Sequence, residues 1–482
     1  QNSLVYLGMD IGAFGSAQTF QWEVAPTEAG PFTALGTPML TPDTTITADT
    51  TLYFRVAITC GTFTVYSDTV LLVVNPALPA GTYTINKNIP TNYVPGVPGG
   101  NFNSFADAIA AMGCGINGAV VFNVEPGTGP YEEQVILDSI AGASAAHTIT
   151  FNGNGNTLKY GPSESGQRAV IKLNGADHVT FDSLVIDATE GNYGFGVHLI
   201  NGADSNKITN CTILTSTTSS STNFAGIVLS GSHTSATGTT TSLSDGNIID
   251  GNTIVGGYYG IVLAGSSTAA NYLSDNQVTN NTIIDFYNYG TYLEGTNNTL
   301  IEGNTYSRPN RSNTATSLYG IYLTNSPSNR LVISKNRFTQ MFGGSSSTST
   351  FYGIYHNSID AIAGAENVVS NNAFYELDGN GAQYALYNNG SNNVRYYHNT
   401  ISLDYAAANA SSSTYGFYQT NSATGIEFMN NIVTVTRGGT GNKYALYFNT
   451  TTSEIASDYN VLFVSGTGAH IGSHAGNRTT LD

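Results

Sequence analysis

Apolar and polar positions alternate in short runs over the first part of the chain, at Thr19 to Val24, Thr51 to Thr59 and Val65 to Val74. Between them lie Pro/Gly/Asp/Thr stretches such as Thr37 to Asp49. Period-2 runs separated by turn signals predict an antiparallel β-sandwich over residues 1–76. The only tryptophan, Trp22, falls in a strand where a sandwich buries it, and Tyr53 and Arg55 lie on a later strand before Cys60. The Pro/Gly-rich stretch Pro90 to Gly100 predicts a linker over 77–100. Asn103 or Ser104 is placed to N-cap a short helix from Phe105 to Met112, whose apolar positions Phe105, Ala108, Ile109 and Met112 make one greasy face. This predicts a capping helix near 104–113, followed by strands at Gly118 to Val124, Glu133 to Leu137 and His147 to Phe151.

Beyond that point the pattern repeats. Segments such as Ile249-Asp-Gly-Asn-Thr-Ile254, Val278-Thr-Asn-Asn-Thr-Ile283, Ile333-Ser-Lys-Asn-Arg-Phe338 and Val369-Ser-Asn-Asn-Ala-Phe374 put one asparagine at a fixed place. The series runs Asn152, Asp182, Cys211, Asn252, Asn281, Asn304, Asn336, Asn372, Asn399, Asn431 and Asn460, roughly 31 residues apart on average. A second mark keeps the same register, from Phe195-Gly196-Val197 through Tyr259-Gly260-Ile261, Tyr319-Gly320-Ile321 and Tyr352-Gly353-Ile354 to Tyr444-Ala445-Leu446. The extra residues of long repeats fall in Ser/Thr/Gly/Asn-rich blocks, Ser216 to Asn223, Gly231 to Gly246, Ser307 to Ser317, Gly343 to Thr350 and Ala406 to Thr414. Insertions at fixed corners are loops outside a coil, and no helical periodicity appears after Met112. The expectation is therefore all-β: a parallel β-helix solenoid over 101–482 preceded by the small sandwich.

The apolar ends of Val278-Thr279-Asn280-Asn281-Thr282-Ile283 are five apart, so strict alternation would put them on opposite faces and a bend must intervene. Asparagine tolerates the left-handed backbone of such a corner, and its amide can bond the equivalent asparagine one turn away. Asn252, Asn281, Asn304, Asn336, Asn372, Asn399, Asn431 and Asn460 are accordingly expected to form a structural ladder. Residues 81–482, and especially Asn101-Phe-Asn-Ser-Phe-Ala-Asp-Ala-Ile109, Gly118-Ala-Val-Val-Phe-Asn-Val124 and Thr148-Ile-Thr-Phe151, resemble the right-handed parallel β-helix (pectin-lyase-like) domains of secreted Bacteroidota proteins. Residues 1–76 resemble the Ig-like modules of giant secreted proteins of the same group. The resemblance implies a scaffold shared by lyases, hydrolases, adhesins and stalks. Relatives of this kind usually continue into a secretion-sorting domain, so the chain is expected to be an internal fragment of a longer surface protein.

Composition narrows the partners. Lys+Arg number 15 against 32 Asp+Glu, a formal charge of −17, and only 10% of residues are charged. Such a chain lacks the basic footprint that nucleic acid or anionic membrane requires. No apolar run reaches the roughly 18 residues of a membrane span. Three cysteines, with no CxxC or Cys/His spacing, exclude a disulfide framework, and no metal or cofactor is expected. The Gly-, Tyr-, Ser-, Thr- and Asn-rich, charge-poor composition suits an extracellular or cell-surface location.

Catalytic chemistry on this scaffold would need close carboxylates for hydrolysis, or a Lys/Arg base beside a Ca²⁺ site for elimination. Lys335 and Arg337 flank Asn336, with Arg308, Arg311 and Arg330 near in sequence, and Glu294 and Glu302 precede them. No Asp pair recurs at ladder positions, so these read as solvated corners and no catalytic residue is assigned. His356 with His398, and His470 with His474, read as structural rather than metal-binding pairs. Asp378-Gly-Asn-Gly381 lacks the alternating carboxylates of a Ca²⁺ loop, and Cys60, Cys114 and Cys211 read as inert thiols. The Asp-Ser/Thr triplets, such as Asp182-Ser183-Leu184, are similar to a Bacteroidota O-glycosylation signal.

The most informative surface feature is aromatic. Tyr292, Tyr322, Tyr355, Tyr387, Tyr418 and Tyr447 each follow the marker glycine or alanine by two residues, and alternation places them outward in a stripe of roughly 24 Å. The stripe serves sheet stability, protein contact or sugar binding. The reading that results is a non-enzymatic adhesive, display or filament segment that self-associates or meets other surface proteins. The alternatives are a polysaccharide lyase or hydrolase, and a carbohydrate-binding module.

Overall fold

The computed structural model describes residues 3–10, 17–48, 50–239, 243–266, 272–311, 313, 315–324, 328–343 and 345–480. The terminal pairs Gln1-Asn2 and Leu481-Asp482, and parts of the expected loops 231–246, 307–317 and 343–350, lie outside the described residues.

The N-terminal module is antiparallel. Gln18–Ala25 pairs Leu52–Cys60, which also pairs Phe63–Tyr66 and Val70–Leu72, while Ser3–Leu7 and Thr44–Ala48 form a separate two-stranded sheet. The run expected as one strand from Val65 to Val74 is thus two short ones. Phe20, Trp22, Phe54 and Val56 alternate inward and make the core, with the Trp22 indole N–H donating to the Pro42 carbonyl at 2.7 Å. On the opposite face the Arg55 guanidinium sits between the Phe32 and Tyr66 rings, 4.0 Å from each centroid, and pairs with Glu23 at 2.8 Å.

The remainder is a parallel β-solenoid of about 11 turns with three sheets of 14, 12 and 13 strands. One turn shows the plan: Gln277–Thr279 in the first sheet, Thr282–Ile284 in the second and Tyr289–Glu294 in the third. The solenoid begins earlier than the expected linker allows. Gly81–Ile85 pairs Val120–Val124 in parallel, and Leu78 and Tyr83 are fully buried in the coil core, so residues 77–100 are not simply a spacer. Helix α1 (Phe105–Ala111) follows, with the Ser104 hydroxyl accepting from the Asp107 N–H as N-cap. Its Phe105 and Ala108 plug the end of the core against Tyr131 and Phe151. Inside, equivalent side chains stack turn on turn, as in Phe122, Phe151 and Phe181, or Tyr306, Phe338 and Phe374.

The corner between the first and second sheets carries the asparagines. Asn280, Asn371 and Asn430 adopt φ of 55°, 57° and 57°, the left-handed region, immediately before Asn281, Asn372 and Asn431. From Asn252 to Asn460 the side chains form an unbroken ladder, each Oδ1 accepting the backbone N–H and the Nδ2 of the preceding member. Two early marks belong elsewhere. Asn152 and Asp182 face each other on first-sheet strands and bond outward partners, and Leu184 occupies the corner position above Cys211. A second ladder, five residues before the first, runs through Asn206, Asn247 and Asn276 and reappears at Asn367. Its signal in the sequence was the Asn that recurs just before the first-sheet strands starting at Lys207, Ile248 and Gln277.

Candidate functional site

The loops joining the second and third sheets position the candidate site. On four successive turns these loops bring Pro309, Gln340, Gly343, Glu376, Asp378, Asp404 and Tyr405 around one open cleft of about 660 Å³. The chain leaves the second sheet by a left-handed residue at Gln340 (φ 49°) and Glu376 (φ 51°), and the Gln340 N–H donates to the Glu376 carbonyl at 3.2 Å. Glu376 and Asp404 are exposed, and Asp404 accepts from the Ser402 hydroxyl at 2.9 Å. Asp378 is buried, and its Oδ1 accepts the Phe342 N–H at 2.7 Å. Gln383, at the start of the next third-sheet strand, donates to the Leu377 and Asp378 carbonyls at 3.2 and 2.7 Å. The cleft is thereby tied to the edge of the third sheet. The acid grouping was missed in the sequence because its members sit at different offsets in loops of unequal length.

Buried guanidinium groups hold these loops. Arg308 donates to the carbonyls of Phe286, Met341 and Asn313, and Arg311 to those of Gly257, Asp285 and Ser219. Arg437 reaches the Gly379 and Gly381 carbonyls and the Thr414 hydroxyl. Burial pushes all three down to about 10, so they stay charged at neutral pH. Arg308 and Arg311, expected as solvated or uronate-facing cations, are instead buried posts. The Asp378 to Gly381 segment offers Ca²⁺ no free carbonyls at Gly379 and Gly381, because Arg437 occupies them.

The other candidates do not converge. Lys335 pairs with Glu302 at 3.1 Å, and Arg337 is exposed on the second sheet. Glu294 accepts from the Tyr292 hydroxyl at 2.9 Å. His356 is fully buried, and burial pushes it down to about 3, whereas His398 is exposed at a corner. His470 stacks on Tyr444 at 5.1 Å, four residues from exposed His474 on one strand. Among the described residues no group of three or more His, Cys, Asp or Glu could hold a metal ion. Cys211 is buried with its thiol pushed up to about 12 by burial, and Cys60 and Cys114 are exposed.

The third sheet carries not one tyrosine column but two. Alternation breaks at the marker glycine, so that Leu318, Gly320 and Ile321 are buried while Tyr319 and Tyr322 both lie on the outer side. A Cβ on Gly320 would lie 2.6 Å from the Gly353 carbonyl oxygen and 2.5 Å from the Phe338 ring, which is why the mark is glycine. Tyr259, Tyr289, Tyr319, Tyr352, Tyr384, Tyr415 and Tyr444 stack in one column with centroids 4.7–5.3 Å apart and planes within 12°. The expected stripe, Tyr292, Tyr322, Tyr355, Tyr387, Tyr418 and Tyr447, forms the other column, parallel from Tyr355 onward. Rings of the two columns meet edge to face, as Tyr352 and Tyr355 do at 5.0 Å and 85°. A third column of Glu294, Thr324, Asn357, Asn389 and Thr420 borders them. Burial, with repulsion between neighbouring phenolates, raises Tyr289, Tyr355, Tyr384 and Tyr387 above their usual range, and Tyr352 and Tyr418 to about 12, so these are neutral phenols at physiological pH.

These features define a parallel β-solenoid with an acidic loop cleft beside an aromatic sheet face. The family model described as right handed beta helix region matches residues 147–338. No curated protein matches the chain. Among solved structures it is similar to the GH136 lacto-N-biosidase from Eubacterium ramulus, at 8% identity over 80% of this chain and 68% of that one, with a TM-score of 0.48. It is also similar to the alginate lyase from Paenibacillus sp. str. FPU-7, at 13% identity over 79% and 99%, TM-score 0.41. A third is the DFA-IIIase from Arthrobacter chlorophenolicus A6, at 14% identity over 76% and 87%, TM-score 0.39. Scores and identities of this size carry no function over to this chain.

Proposed function

We propose that this chain is a glycan-directed β-solenoid that hydrolyses a glycosidic bond in the cleft of Glu376, Asp378 and Asp404. The observation that carries the reading is that three acidic residues, from two successive turns, line one concavity with Tyr405 and Gln340. Glycoside hydrolysis needs one carboxylic acid to protonate the leaving oxygen and a second carboxylate to activate water or attack the sugar. Exposed Glu376 and Asp404 take those two roles, and buried Asp378 fixes the loop through Phe342. Elimination from a uronate needs free cations to neutralise the substrate acid. The guanidinium groups near this cleft are spent on backbone carbonyls, and its own carboxylates repel a uronate, which favours hydrolysis of a neutral glycan over lyase chemistry. This reading places the protein outside the cell, with polysaccharide as its partner.

The test is release of reducing ends from a panel of neutral polysaccharides, with Glu376→Gln and Asp404→Asn as matched variants. Activity in the parent and its loss in both folded variants supports the reading. Activity unchanged in both variants, or none on any polymer, sinks it. A second reading, a structural or adhesive surface segment with an Ig-like spacer over 1–76, is favoured by the continuity of the asparagine and tyrosine ladders, which stiffen a rod. It forecasts self-association or surface binding without turnover.

A further inference from the structure

We infer that the outer face of the third sheet is a binding track for a neutral glycan chain lying along the solenoid axis; this rests on the glycan reading above and names the substrate class. From Tyr319 to Tyr418 each turn presents two phenols and, beside them, an amide or hydroxyl. Tyr352 and Tyr355 stand next to Asn357, and Tyr384 and Tyr387 next to Asn389. The ring faces are covered by the neighbouring turns, so what the track offers is ring edges, phenolic hydroxyls and amides. That is a hydrogen-bonding strip on an apolar base, suited to sugar hydroxyls rather than to a greasy helix.

Charge selects the occupant. Between Tyr319 and Tyr447 the two tyrosine columns and their Thr/Asn border carry no charged side chain among the described residues. Glu294 stands at one end, and the Lys443 amino group at the other is turned onto the Gly439, Gly441 and Thr467 carbonyls. A uronate or sulfated polymer finds no cation there, while a neutral glycan pays no desolvation of charge. Asn357 already donates to the Tyr322 hydroxyl at 3.3 Å and Asn389 to the Tyr355 hydroxyl at 3.5 Å, but the hydroxyls of Tyr387 and Tyr418 have no partner within the protein among the described residues. The columns repeat at the turn spacing of roughly 4.8 Å, close to the length of one sugar unit. The strand bearing Tyr384 and Tyr387 begins at Gln383, which holds the Asp378 carbonyl, so the track runs beside the cleft on the same turns.

The test combines retention on insoluble neutral polysaccharides with retention on polygalacturonate and alginate, using the full chain. The variant Tyr355→Phe/Tyr387→Phe/Tyr418→Phe keeps every ring and removes three hydroxyls. It is expected to bind the neutral polymer about tenfold more weakly with an unchanged unfolding temperature. Retention only on the uronates, retention on no polymer, or full binding by the triple variant overturns the track. The two proposals separate cleanly. Retention without reducing ends removes the hydrolysis and leaves the track. Full retention of the triple variant, with reducing ends formed as in the parent, removes the track and leaves the hydrolysis.

Discussion

Asn336 donates both its backbone N–H and its side-chain Nδ2 to the Oδ1 of Asn372, each at 3.0 Å. Its Nδ2 also reaches the Ile301 carbonyl at 2.9 Å, and its own Oδ1 accepts two bonds from Asn304. Asn336→Ala therefore strands two donors of Asn304 and one carbonyl in a site with no exposure. The expected cost is about 1–3 kcal/mol per unpaired group, read as a lower denaturant midpoint with glycan binding retained. An unchanged midpoint would show that the ladder contributes nothing.

The marker glycines are filled space rather than flexibility. A Cβ at Gly353 would sit 2.3 Å from the Phe374 ring and 2.4 Å from the Ala385 carbonyl oxygen. Gly353→Ala is expected to cost about 1–3 kcal/mol through overpacking, visible in thermal unfolding. A fully tolerated alanine would mean that the turns can separate.

Thiol reactivity distinguishes the three cysteines. Cys211 lies in the ladder position, its Sγ directed at the Thr209 carbonyl at 3.2 Å, with a thiol pushed up to about 12. Cys60 and Cys114 are exposed. A colorimetric thiol titration should find two reactive groups in the native protein and the third only after unfolding. Cys211→Asn should raise the melting temperature by joining the ladder to the turn above.

Acid sensitivity follows from two histidines. His198 and His356 are buried and neutral, pushed from an ordinary value near 6.5 down to about 3, in both cases first by burial. The unfolded chain takes up protons at these sites as pH falls below about 6.5, while the folded chain does not. Stability contributed by the neutral rings is thus present above that pH and lost progressively toward about 3. Melting temperatures should fall between pH 7 and pH 4.5, with a shallower slope in His356→Gln. An identical slope would show that His356 contributes none of the loss.

The repeat, its register and the outward tyrosines were legible because each is a local mark that recurs at a matched position. Val278 and Ile283, five apart, already demand the bend that Asn280 and Asn281 supply. The companion column of Tyr319 was hidden, since strict alternation from Tyr322 would have turned it inward. The break at Gly320 is forced by the carbonyl of Gly353 one turn away, which no window of sequence contains.

The sequence by itself determined the coil: spacing, corner asparagines and the apolar positions that stack inward, all properties of one turn meeting an identical neighbour. Only the tertiary structure decided the cleft. Glu376 and Asp404 come from loops of different length that line one concavity; Arg437 pins the Glu376 loop through the Gly379 and Gly381 carbonyls, and Arg308 pins the neighbouring Gln340 loop through the Met341 carbonyl. It also decided that Gly81–Ile85 belongs to the solenoid, because a strand's membership is fixed by the edge it pairs with, here Val120–Val124, and not by the prolines that follow it.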